Sequence, residues 1–212
     1  MSRSYGQLCG LALALDVIGD RWNLLIVREL LVRPDGARYT DLRDGLPGVA
    51  TNLLADRLRD LQHSGVVGRE EPKPPVATPV FRLTEYGRAL RPAVEALAVW
   101  GGERVPGSSG EQDFRSRWLV VPIEALLADH HPDDPAVRVE VRTGDEPVVV
   151  EVGGGEVHAR AGRPQDRPDL VISGPPKAVL GVISGKLPIA VAADVGVEVS
   201  GDTTVVNRLG LG

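Results

Sequence analysis

The stretch Leu46–Gly65, LPGVATNLLADRLRDLQHSG, decides how the rest of the chain is interpreted. Its leucines Leu54, Leu58 and Leu61 recur at intervals of four and three residues, which predicts a helix with one apolar stripe against a core. A helix over 51–64 is about 20 Å long, at about 1.5 Å per residue. That length suits a DNA major groove, although an ordinary surface helix is the alternative.

Three helices are predicted before this stretch. Apolar residues at helical spacing mark Gln7–Ile18 and Trp22–Val32, and a short helix spans Thr40–Gly45. The first helix carries apolar residues on two faces, which indicates burial against both its own domain and a partner. Pro47-Gly48 then makes a turn, and Thr51 is the predicted cap of the following helix.

A two-stranded wing and a last helix are predicted after it. Strands are expected over Val66–Glu71 and Val80–Leu83, joined by a proline-rich tip over 72–79 that cannot pair as sheet. Thr84 is the predicted cap of a helix over Glu85–Arg104, whose apolar side fits dimerisation. The order of helix, helix, helix-turn-helix, wing and helix is the winged helix-turn-helix plan.

Length and composition indicate two domains. The 212 residues suit domains of about 100 residues, and the Gly/Ser/Pro-rich segment 106–113 is the expected linker between domains 1–105 and 114–212. Residues 1–105 hold 14 Lys and Arg against 13 Asp and Glu, a net charge of +1, whereas residues 106–212 carry −6. Because the first half lacks a strong basic excess, any contact with DNA must come from locally placed arginines.

The second half changes to a period of two, which indicates strands. Valines alternate with charged residues over 137–142, and further strands are expected over 148–152, 156–161, 170–173 and 195–200. Helices are expected over 114–128, 176–183 and 203–209. The predicted fold class is α+β: an N-terminal winged helix-turn-helix domain, then an α+β domain with a mainly antiparallel sheet and flanking helices.

Several functional classes find no support in the sequence. No segment has the apolar length of a membrane span or the pattern of a signal peptide, so a cytoplasmic protein is expected. The single cysteine, Cys9, excludes an intramolecular disulfide and a thiolate zinc cage. Known catalytic motifs do not occur, and the polar run over 130–134 fits a helix end better than a metal site. We therefore expect no enzyme activity, cofactor or metal.

The first half resembles the HxlR-type transcriptional regulators, a branch of the MarR-like winged-helix proteins. The resemblance covers about Cys9–Arg104 and rests on Cys9 followed by ALDVIGDRW (14–22), LLIVREL (24–30), LPGV, NLLADRLRDL and LTEYGRAL. It implies a homodimer on a pseudo-palindromic operator in double-stranded DNA, with the first and last helices at the dimer interface. It also makes 51–64 the recognition helix.

Nine residues are the candidate DNA contacts. Residues at the start of a recognition helix lie deepest in the groove, whereas arginines and lysines on the helix flank and the wing suit phosphates. The candidate base contacts are Thr51, Asn52, Ala55 and Asp56, and the candidate phosphate contacts are Arg57, Arg59, Arg69, Lys73 and Arg82. Two alternatives stay open: Arg57 pairs internally with an acid such as Asp60, and the wing is only a solvated hairpin. Asp56 departs from the family pattern because it brings a carboxylate close to phosphates.

The second half more loosely resembles the sterol carrier protein type two-like fold, through DLVISGP (169–175), SGKL (184–187) and VEVSGD (197–202). In that fold these elements enclose an apolar cavity. Val179, Leu180 and Ile183 are accordingly either core residues or the lining of a pocket for an apolar small-molecule effector. The alternative function is a small-molecule or lipid carrier whose winged helix makes protein contacts only.

Cys9 has two interpretations. The resemblance implies a sensor of oxidants or electrophiles, which in a dimer can form an intersubunit disulfide. The adjoining residues, Leu8, Gly10 and Leu11, supply no cation that would activate the thiol, so an inert packing cysteine is the alternative.

Overall fold

The computed structural model describes residues 4–71, 78–105 and 112–212. The chain divides into two compact units, Met1–Val94 and Glu95–Gly212. Residues 106–111 of the predicted linker lie outside the described residues, so the linker over 106–113 stays a prediction.

The N-terminal unit has the winged helix-turn-helix arrangement. Its elements are α1 (Gly10–Ile18), α2 (Asn23–Leu31), β1 (Ala37–Arg38), α3 (Tyr39–Asp44), α4 (Thr51–His63), β2 (Val67–Glu70), β3 (Val80–Leu83), α5 (Glu85–Arg88) and the start of α6 (Arg91–Gly102). The three strands form an antiparallel sheet in the order β1-β3-β2. The predicted hairpin is therefore confirmed, whereas strand β1 was not predicted.

The apolar stripe predicted for α4 is the contact between this helix and the core. Leu54, Leu58 and Leu61 are buried, and so are Leu42 and Leu46 from α3 and the turn that follows it. Burying a leucine side chain stabilises a fold by about 1.5–3 kcal/mol, so these residues fix α4 against the unit.

The single helix predicted over Glu85–Arg104 is wrong, because the structure has two helices there. Pro92 lies in the first turn of α6 and has no amide hydrogen to donate to the carbonyl of Arg88. A continuous helix would need that hydrogen bond, and the chain instead turns at 89–90. The Thr84 cap is confirmed, since its hydroxyl accepts a hydrogen bond of 3.0 Å from the Gly87 amide.

The Thr51 cap is also wrong. Ala50 has the extended backbone of an N-cap residue, with φ −70° and ψ 141°, and makes no side-chain cap. Thr51 is consequently the first residue within α4, where its side chain cannot occupy the cap position.

The C-terminal unit is built on a five-stranded sheet. After a 3-10 helix at Ser116–Leu119 come α7 (Val120–Leu126), β4 (Val137–Thr143), β5 (Glu146–Gly153), β6 (Glu156–Ala161), β7 (Leu170–Ser173), α8 (Pro176–Ile183), a 3-10 helix at Ile189–Val195, β8 (Glu198–Gly201) and α9 (Thr204–Arg208). The strand order is β6-β5-β4-β7-β8, and β4 with β7 is the parallel pair in an otherwise antiparallel sheet. The predicted α+β class with a mainly antiparallel sheet is confirmed.

A buried ion pair joins α9 to the segment after α7. Asp129 accepts hydrogen bonds from Nε and Nη2 of Arg208, at 2.8 and 3.0 Å. It also accepts from the amides of His131 and Gly155, each at 3.1 Å. These bonds hold the pKa of Asp129 well below its usual range, and the bonds from the guanidinium of Arg208 make the largest contribution. The ion pair thus gives the start of the polar run over 130–134, with His130 and His131, a structural role.

Candidate nucleic-acid interface

The exposed face of α4 carries most of the predicted base contacts. Thr51, Asn52, Ala55, Asp56 and Arg59 follow one another at intervals of one and three residues, so they lie on one side of the helix, away from its buried stripe. Thr51, Asn52 and Arg59 are exposed, whereas Ala55 and Asp56 are partly covered. The structure therefore brings these five residues together on one surface.

Contacts from α3 and the turn position the start of α4. The hydroxyl of Tyr39 donates a hydrogen bond of 2.5 Å to the carbonyl of Thr51, which joins α3 directly to the first turn of α4. Gly48 has φ 81°, a conformation that other residues rarely adopt, and it reverses the chain between the two helices. The side-chain oxygen of Asn52 accepts from the Leu53 amide at 3.0 Å, which leaves a second lone pair on that oxygen for contact with a base.

The two arginines of α4 have different surroundings. Arg59 is largely exposed and pairs with Asp56 at 2.7 Å on the same face. Arg57 lies on another side of the helix, where only about a fifth of its side chain is exposed, and it pairs with Asp20 and with Asp60. Of the two interpretations of Arg57, internal pairing is the one that these contacts favour.

The wing arginines lie on opposite faces of the hairpin. Arg69 stands opposite Phe81 in the sheet register, whereas Arg82 stands opposite Gly68, and successive residues of a strand point to opposite sides. Arg69 pairs with Glu71 at 2.8 Å, and Arg82 pairs with Glu70 at 3.3 Å. Lys73, the third predicted contact of the wing, lies outside the described residues.

Arg38 is a further cation near this surface that the sequence did not indicate. It lies opposite Val80 in the sheet, which places it on the same sheet face as Arg82. Arg38 is exposed, and among the described residues it forms no ion pair. Strand β1 has only two residues and shows no alternation of apolar and polar residues, so the position of Arg38 was not predictable from the sequence.

Comparison with known proteins identifies the first half of the chain. A model of the HxlR-like helix-turn-helix family matches residues 17–108. The uncharacterized HTH-type transcriptional regulator YvaP of Bacillus subtilis is 33% identical over 96 residues, which are 45% of this chain and 86% of YvaP. The HTH-type transcriptional regulator YodB of the same species is 31% identical over 91 residues, 42% of this chain and 79% of YodB.

The chain belongs to the HxlR-like helix-turn-helix family. The predicted class, a transcriptional regulator of the HxlR type, is confirmed with the family, whereas the carrier alternative gains no support. Among solved structures, the redox regulator HypR in its reduced form is 30% identical, with a TM-score of 0.41, over 45% of this chain and 93% of that chain.

In this HxlR-like chain the candidate redox residue, Cys9, is exposed immediately before α1. The backbone amides of Ala12 and Leu11, in the first turn of the helix, lower the pKa of the Cys9 thiol. They do so because amide hydrogens at a helix N-terminus stabilise the negatively charged thiolate. Leu8, Gly10 and Leu11 supply no cation, so this source of activation follows only from the start of the helix at Gly10.

Helices α1 and α6 present apolar side chains to solvent. Leu8, just before α1, is 102% exposed and Leu11 on α1 is 69% exposed, while Leu97 and Trp100 on α6 are 48% and 70% exposed. Soluble monomers rarely leave this much apolar surface uncovered, and such surface marks a protein interface.

The predicted effector residues of the C-terminal unit all lie on α8. Val179 and Ile183 are buried and Leu180 is partly buried on α8. The described residues do contain a cleft of about 730 Å³, but polar residues such as Glu140, Arg142, Thr143 and Arg163 line it. Neither a cluster of three metal-ligating side chains nor a helix able to cross a membrane occurs within the described ranges.

Proposed function

We propose that the chain is a homodimer that binds a pseudo-palindromic site in double-stranded DNA, with α4 in the major groove and the wing along the flanking backbone. The exposed N-terminal face of α4, held in place by Tyr39, is the observation that carries the proposal. Thr51, Asn52, Ala55 and Asp56 face the bases, and Arg59 faces phosphate. Arg69, Arg82 and Lys73 contact the backbone through the wing, whereas Arg57 fixes α4 to the rest of its unit.

The apolar surfaces of α1 and α6 support the dimer. A twofold axis presents the same surface from both subunits, so each exposed leucine of one copy finds apolar neighbours on the other. A dimer with this symmetry presents two copies of α4, which read two half-sites about one helical turn of DNA apart.

The test of DNA binding uses fluorescence anisotropy with duplexes tiled across the region upstream of the protein's own gene. One duplex should bind more tightly than a shuffled duplex of the same composition. Arg59→Ala should weaken binding to the tighter duplex and flatten the salt dependence of its log K by about one, because one phosphate contact is lost. Arg160→Ala, an exposed arginine of β6, is the matched control and should leave both unchanged. Equal affinity for every duplex would refute the proposal.

Modulation by Cys9 is the first of two proposed inputs. Two Cys9 thiols of a dimer lose two electrons and two protons to an oxidant such as diamide, forming one disulfide while the azo group is reduced to a hydrazine. Treatment should yield a covalent dimer on a non-reducing gel, absent in Cys9→Ser, and change DNA affinity. The rate of Cys9 alkylation by iodoacetamide should reach its midpoint at a lower pH in the folded chain than in urea. Identical midpoints would contradict activation by α1.

An apolar effector in the C-terminal unit is the second proposed input. It regulates only if its affinity differs between DNA-bound and free dimers. Native mass spectrometry of the purified chain should show a bound small molecule that organic extraction removes, and its removal should change DNA affinity. A homogeneous, unliganded mass would count against this input.

A further inference from the structure

Acidic side chains hold the exposed arginines of the proposed DNA surface. Arg59 pairs with Asp56 at 2.7 Å, and on the wing Arg69 pairs with Glu71 at 2.8 Å. Arg82 pairs with Glu70 at 3.3 Å. The first pair lies within α4, the second at the end of β2, and the third between the adjacent strands β2 and β3. The local fold therefore brings the partners of each pair together.

An arginine paired in this way attracts phosphate weakly from a distance. The two opposite charges nearly cancel beyond a few ångströms, and salt screens the remainder over a Debye length of about 10 Å at 0.1 M. The predicted DNA-binding domain, residues 1–105, supplies no compensating attraction as a whole, because it carries 14 basic and 13 acidic side chains. Sequence-independent binding, which depends almost wholly on phosphate attraction, is therefore weakened.

The pairs remain easy to break once the protein is in register on its site. Roughly half of each arginine side chain is exposed, from 43% for Arg82 to 64% for Arg59. Exposed pairs of this kind contribute little stability, since solvent and salt compete for both partners. Base contacts that fix α4 in the groove bring phosphates close enough for the arginines to exchange the carboxylates for them.

We infer that Asp56, Glu70 and Glu71 are specificity-determining residues that suppress attachment to non-operator DNA by neutralising Arg59, Arg82 and Arg69. This inference rests on the proposed DNA-binding function. It gives Asp56 a role in addition to base contact, because its carboxylate also acts on the neighbouring guanidinium of Arg59. It also accounts for a carboxylate on the surface that faces DNA.

The test compares the wild-type chain with Asp56→Asn, Glu70→Gln and Glu71→Gln, which keep side-chain shape and remove one negative charge each. Anisotropy titrations at several salt concentrations use the tightest upstream duplex and its shuffled counterpart. For the shuffled duplex, each variant should steepen the salt slope by about 0.9, which corresponds to about eightfold tighter binding at 0.1 M salt relative to 1 M. For the tight duplex, Glu70→Gln and Glu71→Gln should change the affinity by less than about threefold, so the ratio of the two affinities falls. Asp56→Asn is judged on the shuffled duplex, because Asp56 also faces the bases.

Glu151→Gln is the matched control, because it removes an equally exposed carboxylate that pairs with Arg138 in the C-terminal unit. Variants that behave like this control on both duplexes overturn the inference while leaving the proposed function intact. Weaker binding of Asp56→Asn to the tight duplex alone assigns Asp56 to base contact and overturns its neutralising role. A wild-type chain that does not discriminate between duplexes fails the proposed function itself.

Discussion

Replacement of Leu11 by glutamate is expected to separate the subunits without unfolding them. Leu11 is 69% exposed on α1, so its side chain contributes little to the fold of its own chain. Complete burial of a leucine side chain contributes about 1.5–3 kcal/mol, and covering the exposed part contributes about 1–2 kcal/mol per subunit. Since the proposed symmetric interface contains Leu11 twice, the loss is about 2–4 kcal/mol, or roughly 30- to 700-fold in the dimer dissociation constant.

Sedimentation velocity across nanomolar to micromolar concentrations measures that constant, and far-UV circular dichroism checks that the variant stays folded. Val195→Glu is the matched control, because Val195 is 49% exposed in the C-terminal unit and lies outside the two helices that form the proposed interface. A folded Leu11→Glu chain with an unchanged dissociation constant would refute the reasoning, as would equal dissociation of the control. Loss of the dimer should also weaken operator binding, since a monomer reads one half-site.

Two further predictions concern stability. A methyl group on Gly87 would lie 2.1 Å from the Val66 carbonyl oxygen, so Gly87→Ala should lower the free energy of unfolding by about 1–3 kcal/mol in urea titrations. Gly101→Ala is the control, because Gly101 has open space around it and its substitution should not lower that free energy. Equal stabilities of the two variants would contradict this packing. The bonds from Arg208 hold the pKa of Asp129 below the ordinary carboxyl value of 3.8. The ionised carboxylate therefore stabilises the fold at pH values above 3.8, and this contribution is lost as the pH falls from 3.8 through the lower pKa of the folded state. Asp129→Asn should therefore be less stable than wild type at pH 7, and the difference should shrink on acid titration; a constant difference would refute the pair's role.

Periodicity was sufficient to predict most elements of the fold. The leucine spacing of α4, the valine alternation of β4 and the extents of β6 and β7 depend on neighbours in sequence, and the structure has them where they were expected. The family resemblance was equally readable, because its motifs are spaced along one segment, about Cys9–Arg104, most of which the family model matches over 17–108.

Features that depend on contacts distant in sequence were not predictable in the same way. Strand β1 exists because Ala37 and Arg38 meet β3 some forty residues later, and two residues show no period. The acid that pairs with Arg57 from outside α4, Asp20, lies in the turn before α2 and follows from tertiary packing alone. The Pro92 break was visible in the sequence, but the apolar pattern that continues through it concealed the interruption.

A few copies of a regulator are enough to occupy its operator when little of the protein binds non-specifically to the rest of the chromosome. A genome offers about 10⁶–10⁹ competing sites, and each transiently sequesters protein in proportion to its non-specific affinity. In the proposed mechanism the acids that pair with Arg59, Arg69 and Arg82 lower that affinity at every such site, so a larger fraction of the proposed dimers stays free in solution. Occupancy of the operator then responds to a small change in the number of active dimers, which suits a switch driven by a brief signal.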